Sequence, residues 1–308
     1  MMIKISIIIP VYNSEKTIAP LVKSLMNKFD DKYGIEIILI NDFSTDNSEE
    51  LCVELYNSFP TKIKLYSLGK NFGEHNAVMA GLNYVSGEWI IVMDDDFQNP
   101  IEEVEKLIQF SISNSYDVVY TYYKDKKHSL LRNYGSAINN LIASFMLKKP
   151  KDLYLSSFKS IHKNIVNEII KYRLPYPYID GLILRTTNNI GKILALHKRR
   201  EQGQSGYTIS KLMSLWLNMF TNFSVLPLRI STILGFILSL LGFSFGIFTI
   251  LEKLTHPNIP QGYASVITMI TIMFGVQLIA VGLIGEYIGR MFISVNKQPQ
   301  YYISKRYE

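Results

Sequence analysis

Two stretches of this chain offer water almost nothing to solvate. From Ile230 to Leu251 no residue is charged, and from Tyr263 to Gly285 Gln277 is the only strongly polar side chain. Each run is close to the ~20 residues that a helix needs to cross a bilayer core. Core helices of soluble proteins ordinarily keep one polar face, and these keep none, so a membrane hairpin is expected in preference to a buried pair of core helices.

Charge around the two runs predicts their orientation. Lys198, Arg199, Arg200, Lys211 and Arg229 precede the first, and Arg290, Lys297, Lys305 and Arg306 follow the second, whereas the linker carries only Glu252, Lys253 and His256. Basic residues stay cytoplasmic, which puts both ends of the hairpin on that side. Met1–Pro10 is a short apolar run followed by polar turn residues and reads as a buried strand rather than an export signal. The expected organisation is therefore a cytoplasmic domain at 1–206, a juxtamembrane amphipathic segment at 207–228, two transmembrane helices within 229–290 (about 229–252 and 263–287), and a cytoplasmic tail at 291–308. An integral protein of the inner or plasma membrane is expected. Within Tyr207–Phe223, Ile209, Leu212, Met213, Trp216, Leu217 and Phe220 recur at helical spacing, as in a helix lying in the interface with Trp216 at headgroup depth; a helix packed on the catalytic domain is the alternative. Gly282, Gly285 and Gly289 leave room for close packing of the spans or for contacts in a homo-oligomer.

A formal charge of +6 suits work beside anionic lipid and on anionic substrates. Nucleic acid is not an expected partner, because no helix-turn-helix, zinc finger or aromatic-basic platform is readable. The single Cys52 falls in a helical pattern; it excludes a disulfide framework and a cysteine metal site, and reads as core filler.

In residues 1–206, apolar β-branched runs at Ile5–Pro10, Glu36–Ile40, Ile63–Leu68, Trp89–Met93 and Val118–Thr121 alternate with amphipathic stretches. That alternation predicts an α/β domain with a mostly parallel sheet covered on both faces. Helix starts are marked at Ser44-Thr45-Asp46 and Asn99-Pro100. Ligands of such sheets sit outside the carboxyl ends of the strands. Those ends carry Pro10-Val11-Tyr12-Asn13-Ser14-Glu15, Asn41-Asp42-Phe43-Ser44 and Asp94-Asp95-Asp96-Phe97-Gln98.

Three consecutive carboxylates repel one another and are best tolerated with a cation or hydrogen-bond donors beside them. Alternate positions Asp94 and Asp96 can address one ligand from an extended turn while Asp95 points elsewhere, a hard-oxygen pair suited to Mg²⁺ or Mn²⁺ carrying a diphosphate. A solvated acidic loop is the other reading of the triplet alone.

The order of these motifs, with Asn71-Phe72-Gly73, Ala80-Gly81 and Gly285-Glu286-Tyr287-Ile288-Gly289-Arg290, resembles family 2 glycosyltransferases of the GT-A fold. From about residue 3 to 302 the chain is similar to their polyprenyl-phosphate branch. The resemblance implies inverting transfer of one sugar from a nucleotide-diphosphate sugar, with uridine the favoured base, to polyprenyl (undecaprenyl) phosphate, supplying a lipid-linked sugar for cell-envelope glycans. It implies that Pro10, Tyr12, Glu15 and Asp42 hold the base and ribose, that Asp94, Asp96 and Gln98 bind the metal, and that these together with Asp95 and Arg200 hold the donor diphosphate. It assigns the acceptor phosphate to Arg132 and Ser136, and the catalytic set is Asp94, Asp96 and Arg132. Four departures from the family pattern stand out: Gly206 where relatives carry Lys, Tyr123 where they carry Arg, Leu155-Ser156-Ser157-Phe158-Lys159 in place of a segment ending in Phe-Arg, and Asn41-Asp42-Phe43 in place of Asp-Asp-Gly.

The chemistry needs no strong protein base. A phosphate monoester with a second pKa of roughly 6 is already an anionic nucleophile near neutrality, so the protein must supply position and charge neutralisation. A processive polysaccharide synthase would show a Gln-x-x-Arg-Trp motif and more spans, and neither Trp89 nor Trp216 sits in such a context. A non-catalytic nucleotide-binding scaffold is the remaining alternative, against which the intact Asp42, Asp94 and Asp96 count.

Overall fold

The computed structural model describes residues 3–29, 32–123, 149–150, 153–196, 226–255, 262–296 and 299–308. The chain divides into two compact units, one of Met1–Gly206 with Lys297–Glu308 and one of Tyr207–Asn296.

In the first unit the elements run β1 (Lys4–Val11), α1 (Ile18–Phe29), β2 (Gly34–Asn41), α2 (Ser48–Ser58), β3 (Ile63–Leu68), α3 (Glu74–Leu82), β4 (Trp89–Val92), α4 (Ile101–Ser113), β5 (Val118–Tyr122), β6 (Lys159–His162), α5 (Lys163–Ile169), α6 (Ile179–Thr186), β7 (Ile190–Leu194) and, after the second unit, β8 (Ile303–Tyr307). All eight strands join one sheet in the order β7-β5-β6-β4-β1-β2-β3-β8. β1, β2, β3 and β4 pair in parallel, as do β5 and β7; β6 and β8 run antiparallel to their neighbours. The expected mostly parallel α/β sheet is what forms.

Burial on both sides explains the nearly unbroken apolar runs of β1 and β2. Ile5, Ile7 and Ile9 meet Leu21, Val22 and Leu25 of α1, Cys52 of α2 and Leu107 of α4 in one core. The alternate residues Ile8 and Ile40 face α3, where Gly81 comes so close that a methyl group there would lie 2.6 Å from Ile8 Cγ2. Cys52 is buried and fills core space, as its place in the sequence implied. Both marked helix starts lie slightly later than expected: α2 begins at Ser48, with Asp46 accepting from its N–H, and α4 at Ile101, with Pro100 in the cap position.

The chain crosses from one half of the sheet to the other between β3 and β4, so the strand order reverses at the β1/β4 boundary. The ladder between these strands reaches its last pair at Ile8 and Val92. Pro10, without an N–H, cannot extend it toward β4. The crevice where a ligand is expected opens at this point.

Residues 299–308, read from the sequence as part of a tail, are built into the sheet. β8 covers the edge of β3, Tyr302 O accepts from Gly69 N at 2.9 Å, and Glu308 accepts from Tyr66 Oη and Tyr56 Oη, each at 2.9 Å. Lys305 pairs with Glu49 at 2.9 Å, and Gln300 Nε2 donates to Leu174 O at 2.7 Å. An open parallel edge is thereby closed.

The second unit is a hairpin of α7 (Leu226–Thr255) and α8 (Tyr263–Val295). Ile230–Phe248 and Ile272–Gly289 have mean hydropathies of 2.1 and 1.7, and none of either window is buried in the chain. Both are candidate membrane spans, and neither is a core helix of a soluble domain. Nothing among the described residues lies within 4 Å of where a Cβ would stand at Gly282, Gly285 or Gly289. The segment around Trp216 falls outside the described residues.

Deleting residues 299–308 uncovers the β3 edge and removes its hydrogen bonds. The truncated protein in detergent is expected to melt on the order of 5 °C or more below the full chain and to self-associate, checked by thermal unfolding and light scattering.

Candidate active site

Four loops meet at the carboxyl ends of the central strands, and hydrogen bonds lace them together. Asp95 reaches across the β1/β4 boundary: its Oδ2 accepts from Tyr12 N at 3.3 Å and from Ser14 Oγ. Ser14 N donates to Ser48 Oγ at 2.7 Å, and Asn13 N to Ser44 Oγ at 3.1 Å. Thr45 N donates back to Asn13 Oδ1 at 2.8 Å, and Asn47 N to Glu15 Oε2 at 3.3 Å. The loops after β1, β2 and β4 thus hold one another.

Asp42 braces the fourth loop. Its two carboxylate oxygens accept from Phe72 N at 2.7 Å and Gly73 N at 2.8 Å, while Asn76 Nδ2 donates to Phe72 O at 2.7 Å. Gly73 has φ 89°, a left-handed conformation that glycine adopts without a Cβ penalty, and the Asn71-Phe72-Gly73 motif is read as this braced turn. Burial pushes the Asp42 carboxyl upward against the pull of those two N–H groups.

Backbone strain gathers at the same three strand ends. Asn13, Phe43 and Phe97 have φ of 55°, 62° and 58°, one in each loop after β1, β2 and β4. Left-handed non-glycine residues cost about 1 kcal/mol or more each and persist where their surroundings over-determine them.

Asp94 and Asp96 stand on either side of Asp95. Ser157 Oγ donates to Asp94 Oδ2 at 2.6 Å, and Gln98 N donates to Asp96 Oδ1 at 3.1 Å. Burial, then the neighbouring Glu74 and Asp96, push Asp94 up to about 7 despite the Ser157 bond and Lys159. Burial likewise pushes Asp95 up to about 6, against its bonds to Ser14 and Tyr12. Two hard-oxygen side chains two residues apart, with Asp94 raised by burial and by acidic neighbours, have the chemistry of a donor set that a divalent cation and its diphosphate would complete. Among the described residues no group of three or more His, Cys, Asp or Glu is placed to hold a metal ion.

The wall beside Asp94 was only partly legible. Lys159 is buried in an ion pair with Asp180, which also accepts from Tyr120 Oη at 2.8 Å. Removing one partner of such a pair costs roughly 3–5 kcal/mol. His75 packs edge-on against Tyr178 with ring centroids 5.1 Å apart, and burial, partly offset by Asp180, pushes its imidazole down to about 4, so it is neutral. Tyr123, standing where relatives carry Arg, donates to Asn99 Oδ1 at 3.0 Å. Ser157 and Lys159 lie in the segment that departs from the family pattern, whereas Glu74 and His75, directly after Asn71-Phe72-Gly73, were not singled out from the sequence. Nothing in the sequence pointed to Tyr178 or Asp180, which α6 brings in from far along the chain.

Of the residues singled out from sequence, Pro10, Tyr12, Glu15, Asp42, Asp94, Asp95, Asp96 and Gln98 lie on these laced loops. Arg132, Ser136, Arg200 and Gly206 fall outside the described residues.

Residues 6–170 match glycosyl transferase family 2, and residues 226–291 match the GtrB C-terminal hairpin. Undecaprenyl-phosphate 4-deoxy-4-formamido-L-arabinose transferase of Edwardsiella ictaluri is 32% identical over 303 residues, covering 97% of this chain and 93% of that protein. The protein of the same name from Yersinia pestis is 32% identical over 307 residues, covering 98% and 93%. Among solved structures, glucosyl-3-phosphoglycerate synthase from Mycobacterium tuberculosis in complex with UDP aligns with a TM-score of 0.51 at 15% identity, over 70% of this chain and 78% of that one. Its complex with Mn²⁺, UDP and glucosyl-3-phosphoglycerate gives 0.50 at 15% identity, over 75% and 79%. At such identity the likeness is one of fold.

The raised carboxyls carry a pH signature. In metal-free protein Asp94 binds its proton more tightly folded than unfolded, so its contribution to stability is full below about 4 and is lost as pH rises toward about 7. Asp94→Asn removes that loss. In chelator, the stability advantage of Asp94→Asn over the parent is expected to widen from pH 4 to pH 7.5, measured by denaturant unfolding.

Proposed function

The chain belongs to glycosyl transferase family 2, and on that premise we propose that it moves a single sugar from a nucleotide-diphosphate donor, uridine-linked, to undecaprenyl phosphate at the cytoplasmic face of the membrane. The observation that carries the reading is the laced strand-end site: loops tied together through Asp95, with Asp94 and Asp96 on either side of it, at the reversal of strand order, in a chain that also has a hairpin of two exposed apolar helices. The named relatives, which act on undecaprenyl phosphate by their titles, support the acceptor, and the UDP complexes of structures sharing the fold support the donor.

The strand order supports two crossings. β8 pairs in the sheet although α7 and α8 intervene, so both ends of the hairpin lead into one domain. The basic residues flanking the hairpin favour the cytoplasmic side for that domain.

In the proposed reaction Asp94, Asp96 and Gln98 hold Mg²⁺ or Mn²⁺ with the donor diphosphate; the bound cation would neutralise charge that develops on the leaving nucleotide. Pro10, Tyr12 and Glu15 line the nucleotide end, and Asp42 and Asp95 act on it through the loops they fasten. Arg200 adds positive charge at the diphosphate. Arg132 and Ser136 orient the lipid phosphate toward the anomeric carbon from the opposite face. One direct displacement from that side inverts the anomeric centre, and the acceptor, already anionic, needs no proton removed. The product serves as a lipid-linked sugar for envelope glycans. A processive synthase gains no support from the hairpin of two helices found among the described residues.

Purified protein in detergent, given undecaprenyl phosphate, Mg²⁺ or Mn²⁺ and a panel of radiolabelled nucleotide sugars, is expected to carry label into the organic phase from one donor. Chelation abolishes the transfer, and Asp96→Ala slows it by about 100-fold or more. Full metal-dependent turnover by Asp96→Ala would refute the metal role. Failure with every donor, alongside measurable nucleotide binding, would favour a scaffold.

A further inference from the structure

Phe43 combines two features that stability does not explain together. It holds φ 62°, in the left-handed region where a bulky side chain is a genuine outlier and glycine is free of penalty. Its ring is nevertheless 50% exposed, so core burial does not offset the strain.

The conformation is imposed from both sides. Asp42 N donates to Val11 O at 2.9 Å, and the Asp42 carboxylate is fastened to Phe72 N and Gly73 N. On the other side Ser44 N donates to Asn41 Oδ1 at 3.1 Å, and Ser44 Oγ accepts from Asn13 N. Phe43 is therefore displayed at the tip of a rigid turn.

A second aromatic ring is displayed on the adjoining loop. Tyr12 is also 50% exposed, and it directly precedes Asn13, which is bonded to the residue after Phe43. Among the described residues neither ring packs against another aromatic ring. Tyr12 N is bonded in turn to Asp95, the neighbour of the carboxylates assigned to the cation and diphosphate. Hydrogen bonds thus link the Phe43 turn to the Tyr12 loop and that loop to the acidic loop.

We propose that Phe43 is a donor-binding residue, forming with Tyr12 an aromatic clamp on the base of the nucleoside diphosphate. This rests on the nucleotide-sugar reading of the site and adds a residue to it. A planar base is the ligand part whose faces match two displayed rings, and stacking on an aromatic side chain contributes affinity whatever the base. The clamp binds the end of the donor remote from the reacting carbon, so it acts on affinity and leaves the chemical step alone.

The test is calorimetric titration of the full-length protein in detergent with UDP and, separately, with inorganic pyrophosphate, both with Mn²⁺. Phe43→Gly frees the turn, so its melting temperature is expected to equal or exceed that of the parent. Its affinity for UDP should fall about tenfold or more, its affinity for pyrophosphate should be unchanged, and Phe43→Tyr should restore UDP binding. In the transfer assay Phe43→Gly raises KM for the donor and leaves kcat near the parent value. Equal UDP affinity in Phe43→Gly and the parent overturns the clamp alone. Parallel loss of UDP and pyrophosphate overturns it too, since the turn rather than the ring would then matter. A parent protein that binds neither UDP nor GDP nor dTDP removes the nucleotide-sugar reading itself, and the clamp with it.

Discussion

The contact between Asp95 and the loop after β1 decides the shape of everything around it. β1 and β4 are hydrogen-bonded neighbours up to Ile8 and Val92, and then Pro10 leaves the ladder without a donor. Beyond that point the two chains would be free to splay. Asp95 reconnects them through Tyr12 N and Ser14 Oγ, and Ser14 and Asn13 pass the connection on to Ser48, Ser44 and Thr45. With the middle carboxylate of the triplet committed to this tie, Asp94 and Asp96 are the two proposed for the cation and diphosphate.

The same region concentrates the domain's electrostatic and conformational costs. Asp42 is buried and held by two backbone N–H groups, Asp180 by Lys159 and Tyr120, and Asp95 by a serine and an amide. Asp94 accepts from the Ser157 hydroxyl, and burial with its acidic neighbours pushes its carboxyl up to about 7. Asp42, Asp95 and Asp180 thus organise their surroundings, while Asp94 is held by one hydroxyl bond and raised by its acidic neighbours. Three left-handed non-glycine residues lie on the same loops, as expected where a fixed site geometry is favoured over backbone comfort. A cation with a diphosphate would supply the missing positive charge.

Sequence reading worked best where one physical rule dominated. The five apolar runs of the first half all appear as β1 to β5, because burial on two faces leaves little choice but β-branched residues. The carboxyl-end rule then led to the right loops, since parallel topology places them. It could not see β6, a four-residue strand whose Lys159 is polar and buried, nor β7, whose partly exposed residues lack a strong apolar signal. β8 was hidden for a different reason: Ile303–Tyr307 reads as a charged tail, and only its pairing with a strand more than two hundred residues earlier gives it structure. Asp42 was assigned to the nucleotide from resemblance; in the fold both of its oxygens are engaged with the Phe72–Gly73 turn, a role visible only once α3 is placed.

The central claim is that Asp94 and Asp96 form one cation-dependent diphosphate site, with Asp95 as the tie behind it. The most direct measurement is the difference in UDP affinity with and without Mn²⁺, taken for the parent protein and for Asp94→Asn/Asp96→Asn. The account predicts a clear gain from Mn²⁺ in the parent and none in the double variant, with metal-free UDP affinity alike in both. A double variant that keeps the full gain from Mn²⁺ would contradict it.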